Sequence, residues 1–232
     1  MRWRAELLES GLGECIRHQT SPWEAAYLLL AEGDERFFDE HIDRDVFRPI
    51  YLRDGADSNV GLRDALARDG FSGEVILSRV DSDDLITKDY LERVVAAAHE
   101  SAGVDRWLVA VDGQRSDMQR VQSFHYPESP FISRHLRNRT RESIFRNHRD
   151  VRQLDPVVVD GVLWWQLLHG SNLANKFWRP RPVESYDPDR GFSGELNDFD
   201  AHEFRESFGF AHERLSEVIR QAPDFTSTRQ EL

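Results

Sequence analysis

The sequence has a single cysteine, Cys15, which excludes an intrachain disulfide and a thiolate metal cluster. A lone cysteine in a helical stretch reads as a small buried hydrophobe. Lysine is scarce as well: Lys88 and Lys176 are the only two, so arginine carries nearly all the positive charge. Long apolar runs are missing. The longest, over 25–31 and 162–168, fall far short of the roughly 18 residues that suggest a membrane span. The opening residues, Met1-Arg2-Trp3-Arg4-Ala5-Glu6, carry no apolar stretch of the secretory kind. A reducing, cytoplasmic compartment with no transmembrane segment is therefore the expectation. An excess of basic charge is lacking too. With 42 acidic against 30 basic residues the formal net charge is -12, which disfavours nonspecific binding to nucleic acid or anionic lipid.

What is present is ordinary for a globular chain: 232 residues, 39% hydrophobic and 31% charged, enough to bury one sizeable α/β core. Leu7, Leu8, Leu12, Cys15 and Ile16 recur at helical spacing and predict a helix over 3–18, broken at Thr20-Ser21-Pro22. Strands are expected over 25–30, 46–52, 74–80 and 106–111, the last closed by Asp112-Gly113. Helices are expected over 60–68 and 88–99, with Thr87 as a cap for the second. Such alternation predicts a mainly parallel sheet covered on both faces. Beyond Gly113 shorter, antiparallel strands are expected over 119–125, 143–147 and 163–168. A Pro-, Asp- and Gly-rich irregular stretch over 179–197 and amphipathic helix over 199–221 follow. The division expected is a domain over 1–178 and a C-terminal extension over 179–232.

The chemistry concentrates at Asp81, Asp83 and Asp84, directly after the strand that contains Val75-Ile76-Leu77. Open α/β sheets bind ligands beyond the carboxyl ends of their strands. Three carboxylates within four residues repel one another unless a cation sits among them, and a hard divalent ion with oxygen ligands is the natural solution. The bland alternative is a solvated acidic turn that caps the next helix. A calcium loop is disfavoured because its glycine and closing glutamate are absent, and Leu85 stands where a haloacid dehalogenase-type motif needs Thr or Val.

Three stretches carry a likeness. Leu77-Ser78-Arg79-Val80-Asp81-Ser82-Asp83-Asp84-Leu85 resembles the Arg-x-Asp-x-Asp-Asp metal motif of a rhamnosyltransferase-like family of GT-A glycosyltransferases. Ser129-Pro130-Phe131-Ile132-Ser133 resembles that family's Ser-Pro-Phe-Leu-Ser segment. Trp164-Trp165-Gln166-Leu167-Leu168-His169-Gly170-Ser171-Asn172 is similar to its Trp-Leu-Gln-x-x-His-Gly-x-Asn segment. Gln19-Thr20-Ser21-Pro22-Trp23 after the first helix resembles the wider glycosyltransferase pattern, and the likeness covers roughly residues 3–178.

The resemblance implies a GT-A-like, Rossmann-like sheet flanked by helices, whose first strand has no counterpart before Trp3. It implies transfer of a sugar, rhamnose being one candidate, from a nucleoside diphosphate donor to a glycan or glycolipid hydroxyl. Mn²⁺ or Mg²⁺ would be held by Asp81 and Asp83, with His169 completing the sphere. Ser171 and Asn172 would hold the ligand or a sugar hydroxyl, and Arg79 would pair with the carboxylates or a phosphate. Glu32 and Asp34 fall where the wider family places an acidic residue near base or ribose. Arg134-His135 stands where the family has an acidic residue, so the base of an inverting reaction is unassigned. Asp84 and Glu142 are the catalytic candidates, with Asp160 a further one by its place in the chain.

Arg134, Arg137, Arg139, Arg141, Arg146, Arg149 and Arg152 form a basic segment suited to bidentate phosphate or carboxylate contacts, or to a solvated face. Peripheral contact with a membrane stays open on this account. Two other readings stand beside the enzyme: a sugar-nucleotide-binding module without turnover, and a metal-dependent phosphoesterase. The second is disfavoured by the single Asp cluster.

Overall fold

The computed structural model describes residues 2–100, 105–137, 144–170, 176–177, 180 and 191–222. Its first 17 residues include helix α1 (Arg2–Leu8), a π-helical turn (Glu9–Gly13) and helix α2 (Glu14–Arg17). The expected apolar stripe is the buried one: Leu7, Leu8, Leu12, Cys15 and Ile16 all face the core.

Strand β1 (Ala26–Ala31) leads through α3 (Glu35–His41) to β2 (Phe47–Leu52), which pairs with it in parallel from Ala26↔Phe47 to Ala31↔Leu52. Helix α4 (Ser58–Arg68) opens on Asp57, whose side chain accepts from the Asn59 amide, and leads to β3 (Val75–Arg79). Then come β4 (Asp84–Ile86), α5 (Tyr90–Glu100), β5 (Arg106–Ser116), β6 (Arg120–His125) and β7 (Ile132–Leu136). The chain continues with α6 (His148–Val151), β8 (Val157–Leu167), β9 (Phe192–Asp198), α7 (Ala201–Phe208) and α8 (Glu213–Arg220).

The chain is α/β, but the expectation of a mainly parallel sheet needs correction. The larger sheet has seven strands, with β3-β7-β5-β6-β9 along one path and β8 joining β5 to β4. Only its β5–β8 pairing is parallel; the others are antiparallel. The reason is local. β5 and β6 are joined by a tight hairpin, where Met118 takes a positive φ of 62°, and an antiparallel pair needs no helical crossover.

Smaller differences have similar causes. β5 runs straight through Asp112-Gly113 at the cost of a register irregularity there, because β6 and β8 pair with it on either side. No strand forms over the described part of 143–147; Asn147 instead caps α6, accepting from the Arg149 amide. Strand β9 forms within the stretch expected to be irregular, because its backbone completes the edge of β6. α7 and α8 occupy the expected amphipathic region.

Two hydrophobic cores lie on the sheet faces. One holds α1, Phe38 of α3, Tyr90, Trp164, Trp165 and the C-terminal helices; the other holds α4, Trp107, Val109 and Ile132. Trp165 meets Phe204 and Phe208 edge-on, with centroids 5.6 and 5.3 Å away, and so docks α7 on the sheet. Among the described residues no helix is long and apolar enough to cross a membrane.

Candidate functional site

The acidic cluster sits at the turn between β3 and β4. The Asp84 amide donates to the Asp81 carbonyl at 3.1 Å, closing the turn, and Asp84 then enters the sheet opposite Gln166. Its three carboxylates therefore meet three different environments. Asp81 is exposed and pairs with Arg79 at 3.5 Å. Asp83 is half-buried, and its Oδ2 lies 3.2 Å from Nε2 of His169. Asp84 is 2% exposed, and its Oδ1 has no hydrogen-bond partner.

Electrostatics separates the two inner carboxyls. Burial opposes ionisation of Asp83, but the hydrogen bond and charge of His169, aided by Arg4, outweigh it and hold the group below the usual carboxylate value. Burial, and then the neighbouring Asp83 and Asp81 charges, push Asp84 well above it, against hydrogen bonds from the Leu167 backbone and the Gln166 side chain. Adjacent carboxyls with pKa values driven apart are a common mark of a chemical site.

His169 is fixed by residues outside the motifs. Its side chain is 3% exposed, and the ring of Trp3 meets it edge-on at 5.0 Å. Trp3 is itself held by α8, its indole N–H donating to the Val218 carbonyl at 2.6 Å. The first and last helices thus wall the His169 side of the site. Trp3 and Arg4 gave no sequence signal of this, because their role depends on a contact made from opposite ends of the chain.

A second unforeseen feature is a polar row across the sheet. Register places Asp84 opposite Gln166, Gln166 opposite Arg115, and Arg115 opposite Gln122, and all four are buried. Arg115 Nε donates to Gln166 Oε1 at 3.0 Å, and Nη1 donates to the Lys176 carbonyl at 2.9 Å. Since arginine can only donate, the Gln166 oxygen faces Arg115 and its amide N–H turns toward Asp84. The guanidinium also lies 4.1 Å above the Phe124 ring, and burial lowers its pKa to about 10. Nothing about an arginine in a strand-forming stretch would single it out. Only the register reveals the row.

Among the described residues, the other expected site residues lie apart from the acidic cluster. Glu32 is exposed and pairs with Arg53 at 3.1 Å, and Asp34 precedes α3; both lie in the connection that follows β1. Glu142, Ser171 and Asn172 lie outside the described residues, as do Arg139 and Arg141. Asp160 is exposed on β8.

The basic segment divides rather than converging. Arg134 stacks on Trp107 at 4.6 Å, Arg149 lies 3.8 Å from Glu128, and the Arg137 amide donates to Asp105. Arg79 reaches the Arg146 carbonyl at 3.5 Å.

The other motif residues are largely core. Phe131 stacks on Trp164 at 4.8 Å, and Ser133 Oγ lies 2.7 Å from Ser78 Oγ, tying β7 to β3. Gly113 leaves room for the Trp164 ring, since a Cβ there would sit 2.1 Å from it.

The separation of Asp83 and His169 is a hydrogen-bond distance, and it is also compatible with two ligands of one divalent cation. Two ligands on adjacent corners of an octahedral ion, with bonds of roughly 2.1 Å, stand about 3 Å apart, close to the 3.2 Å between Asp83 Oδ2 and His169 Nε2. The unpartnered Asp84 Oδ1 is a further polar atom at the same turn. Asp81 does not converge with them, and among the described residues no group of three such side chains is arranged to hold an ion. Comparison of the chain with protein-family models, with curated proteins and with solved structures returns no match.

Proposed function

We propose that this chain is a metal-dependent glycosyltransferase that moves a sugar from a nucleoside diphosphate donor to a hydroxyl of a glycan or glycolipid. The observation that carries the reading is the meeting of Asp83 and His169, from two separate family-like motifs, at the carboxyl end of β3. Asp83 and His169 would hold Mn²⁺ or Mg²⁺, joined by Asp81 after it leaves Arg79. The ion would stabilise the charge on the departing diphosphate. Arg79, which contacts Asp81, would meet a phosphate oxygen.

An inverting transfer needs a carboxylate to accept the proton of the acceptor hydroxyl. Asp84, with one oxygen held by Gln166 and Leu167 and the other unpartnered, is one candidate, and Glu142 is the other. A GT-A-like arrangement and rhamnose as the sugar are the finer parts of this proposal, and they rest on the three motifs.

A sugar-nucleotide-binding module without turnover is the second reading. The exposure of Asp81 and its pairing with Arg79, away from Asp83, favour it. Titration with Mn²⁺ and a panel of nucleoside diphosphates, read as thermal stabilisation and followed by assays of the matching nucleotide sugars for hydrolysis, separates the cases. Joint stabilisation with turnover supports the transferase, and stabilisation without turnover supports the module. No response to any pair removes both.

A further inference from the structure

Two trails of contact lead from the acidic cluster to His148, a residue outside every sequence motif. On one side Arg79 bridges the Asp81 carboxylate and the Arg146 carbonyl, each at 3.5 Å, so the chain just before α6 lies beside the turn. On the other side Asp84 faces Gln166, and Gln166 bonds Arg115, whose guanidinium lies over the Phe124 ring. Phe124 meets Tyr126 edge-on at 6.1 Å, and Tyr126 meets the His148 ring edge-on at 6.4 Å. The trails close because of topology. Ile132 of β7 pairs with Arg79 at the carboxyl end of β3, which brings the β6–β7 connection with Glu128 to that end.

Local bonding decides what the His148 ring can do. Nδ1 lies 2.5 Å from the Glu128 carbonyl oxygen, and a carbonyl can only accept, so Nδ1 carries the proton. In the neutral ring Nε2 is then the nitrogen with the lone pair. His148 is half-buried, and among the described residues its Nε2 makes no hydrogen bond. Asp84 differs in this respect: it is shut in the sheet at 2% exposure, out of reach of an acceptor.

We infer that His148 is a catalytic base, taking the proton of the acceptor hydroxyl on Nε2. The inference rests on the transferase reading. The hydroxyl oxygen bonds to the anomeric carbon as the bond from that carbon to the diphosphate breaks, and the electron pair of that bond leaves with the diphosphate. The hydroxyl proton passes to Nε2, and the imidazolium so formed keeps its Nδ1–H bond to the Glu128 carbonyl.

Hydrolysis of nucleotide sugars by the full chain, with water as the acceptor, tests this. The probes are Mn²⁺ with uridine, thymidine or guanosine diphosphate, read as thermal stabilisation, and the sugar nucleotides built on them. His148→Gln is expected to keep the wild-type stabilisation and to lose turnover about 100-fold or more. In His148→Ala, added imidazole should restore part of the rate by supplying the missing base from solution. Wild-type turnover in both variants overturns the base and leaves the transferase standing. Loss of stabilisation together with turnover, without rescue by imidazole, makes His148 a staple between α6 and the β6–β7 connection instead. Stabilisation of the wild type without turnover also overturns the inference and favours the binding module, and no response to any pair removes the transferase with it.

Discussion

His169 and Asp83, 86 residues apart in the chain, face each other at 3.2 Å, and the ring of Trp3 meets the imidazole edge-on at 5.0 Å. The pair has a different meaning for binding and for stability. As cation ligands the two gain little for the apo fold, because the contact with the buried His169 is set against the repulsion between Asp83 and the buried Asp84.

Asp83→Ala is therefore expected to leave the apo melting temperature nearly unchanged. It should abolish the added stabilisation from Mn²⁺ with a nucleoside diphosphate, about 2.7 kcal/mol when ligand stands at 100 times its dissociation constant. Calorimetric or fluorescence melting with and without the pair checks this. A wild-type response in the variant would end the role given to Asp83.

Trp3→Ala separates positioning from ligation at His169. Truncation removes the edge contact and the bond to Val218, and should cost about 2 kcal/mol or more. Metal-linked stabilisation should weaken without vanishing. His169→Ala should lose that stabilisation entirely with a smaller fall in apo stability. Urea unfolding of both variants, with and without Mn²⁺, reads the two effects apart.

Asp84 makes a pH-dependent prediction. Its folded pKa lies above the unfolded value, so between the two the native state binds more protons than the unfolded state. The associated stability is full below the unfolded pKa and is lost as pH rises through the folded one. Asp84→Asn, which keeps an oxygen for Gln166 and cannot ionise, should gain on the wild type as pH rises from about 4. At neutral pH it should be the more stable chain by on the order of 1 kcal/mol or more. Paired urea titrations across pH 4–8 test the sign, and a gap that closes with rising pH would refute it.

Arg115 should prove unusually costly to replace. Arg115→Met leaves the Gln166 oxygen and the Lys176 carbonyl without their donor and should destabilise by about 3 kcal/mol. Arg115→Lys should recover little, since one ammonium cannot reproduce the fork that serves both acceptors. A double-mutant cycle with Gln166→Leu should show strong coupling.

Gly113→Ala tests the seat of Trp164. The added Cβ would lie 2.1 Å from the indole, so the ring or strand β5 must shift, at about 3 kcal/mol or more. Combining it with Trp164→Leu should cost less than the sum of the two single changes. Strict additivity would show that the clash is relieved elsewhere.

Much of the fold was legible in the sequence because it depends on local pattern. The apolar spacing of Leu7, Leu8, Leu12 and Ile16 places the first helix, and the runs over 25–30, 46–52 and 74–80 place the first three strands to within a residue at each end. That Asp81, Asp83 and Asp84 cluster at the end of β3 was legible, since it follows from adjacency in the chain. The turn to antiparallel strands beyond Gly113 was legible too, but the antiparallel pairing of β3 with β7 and the parallel pairing of β5 with β8 were not, since a hairpin and a crossover differ in what pairs across space and not in side-chain alternation.

The same holds within the site. Sequence determined that carboxylates, a histidine and arginines would be available. Only tertiary structure decided that Asp81 would turn out to Arg79, that Asp83 would meet His169, and that Asp84 would be buried in line with Gln166 and Arg115. Residue types and periods are properties of neighbours along the chain. Register, burial and the pairing of charges arise when distant segments compete for the same space and the same hydrogen bonds.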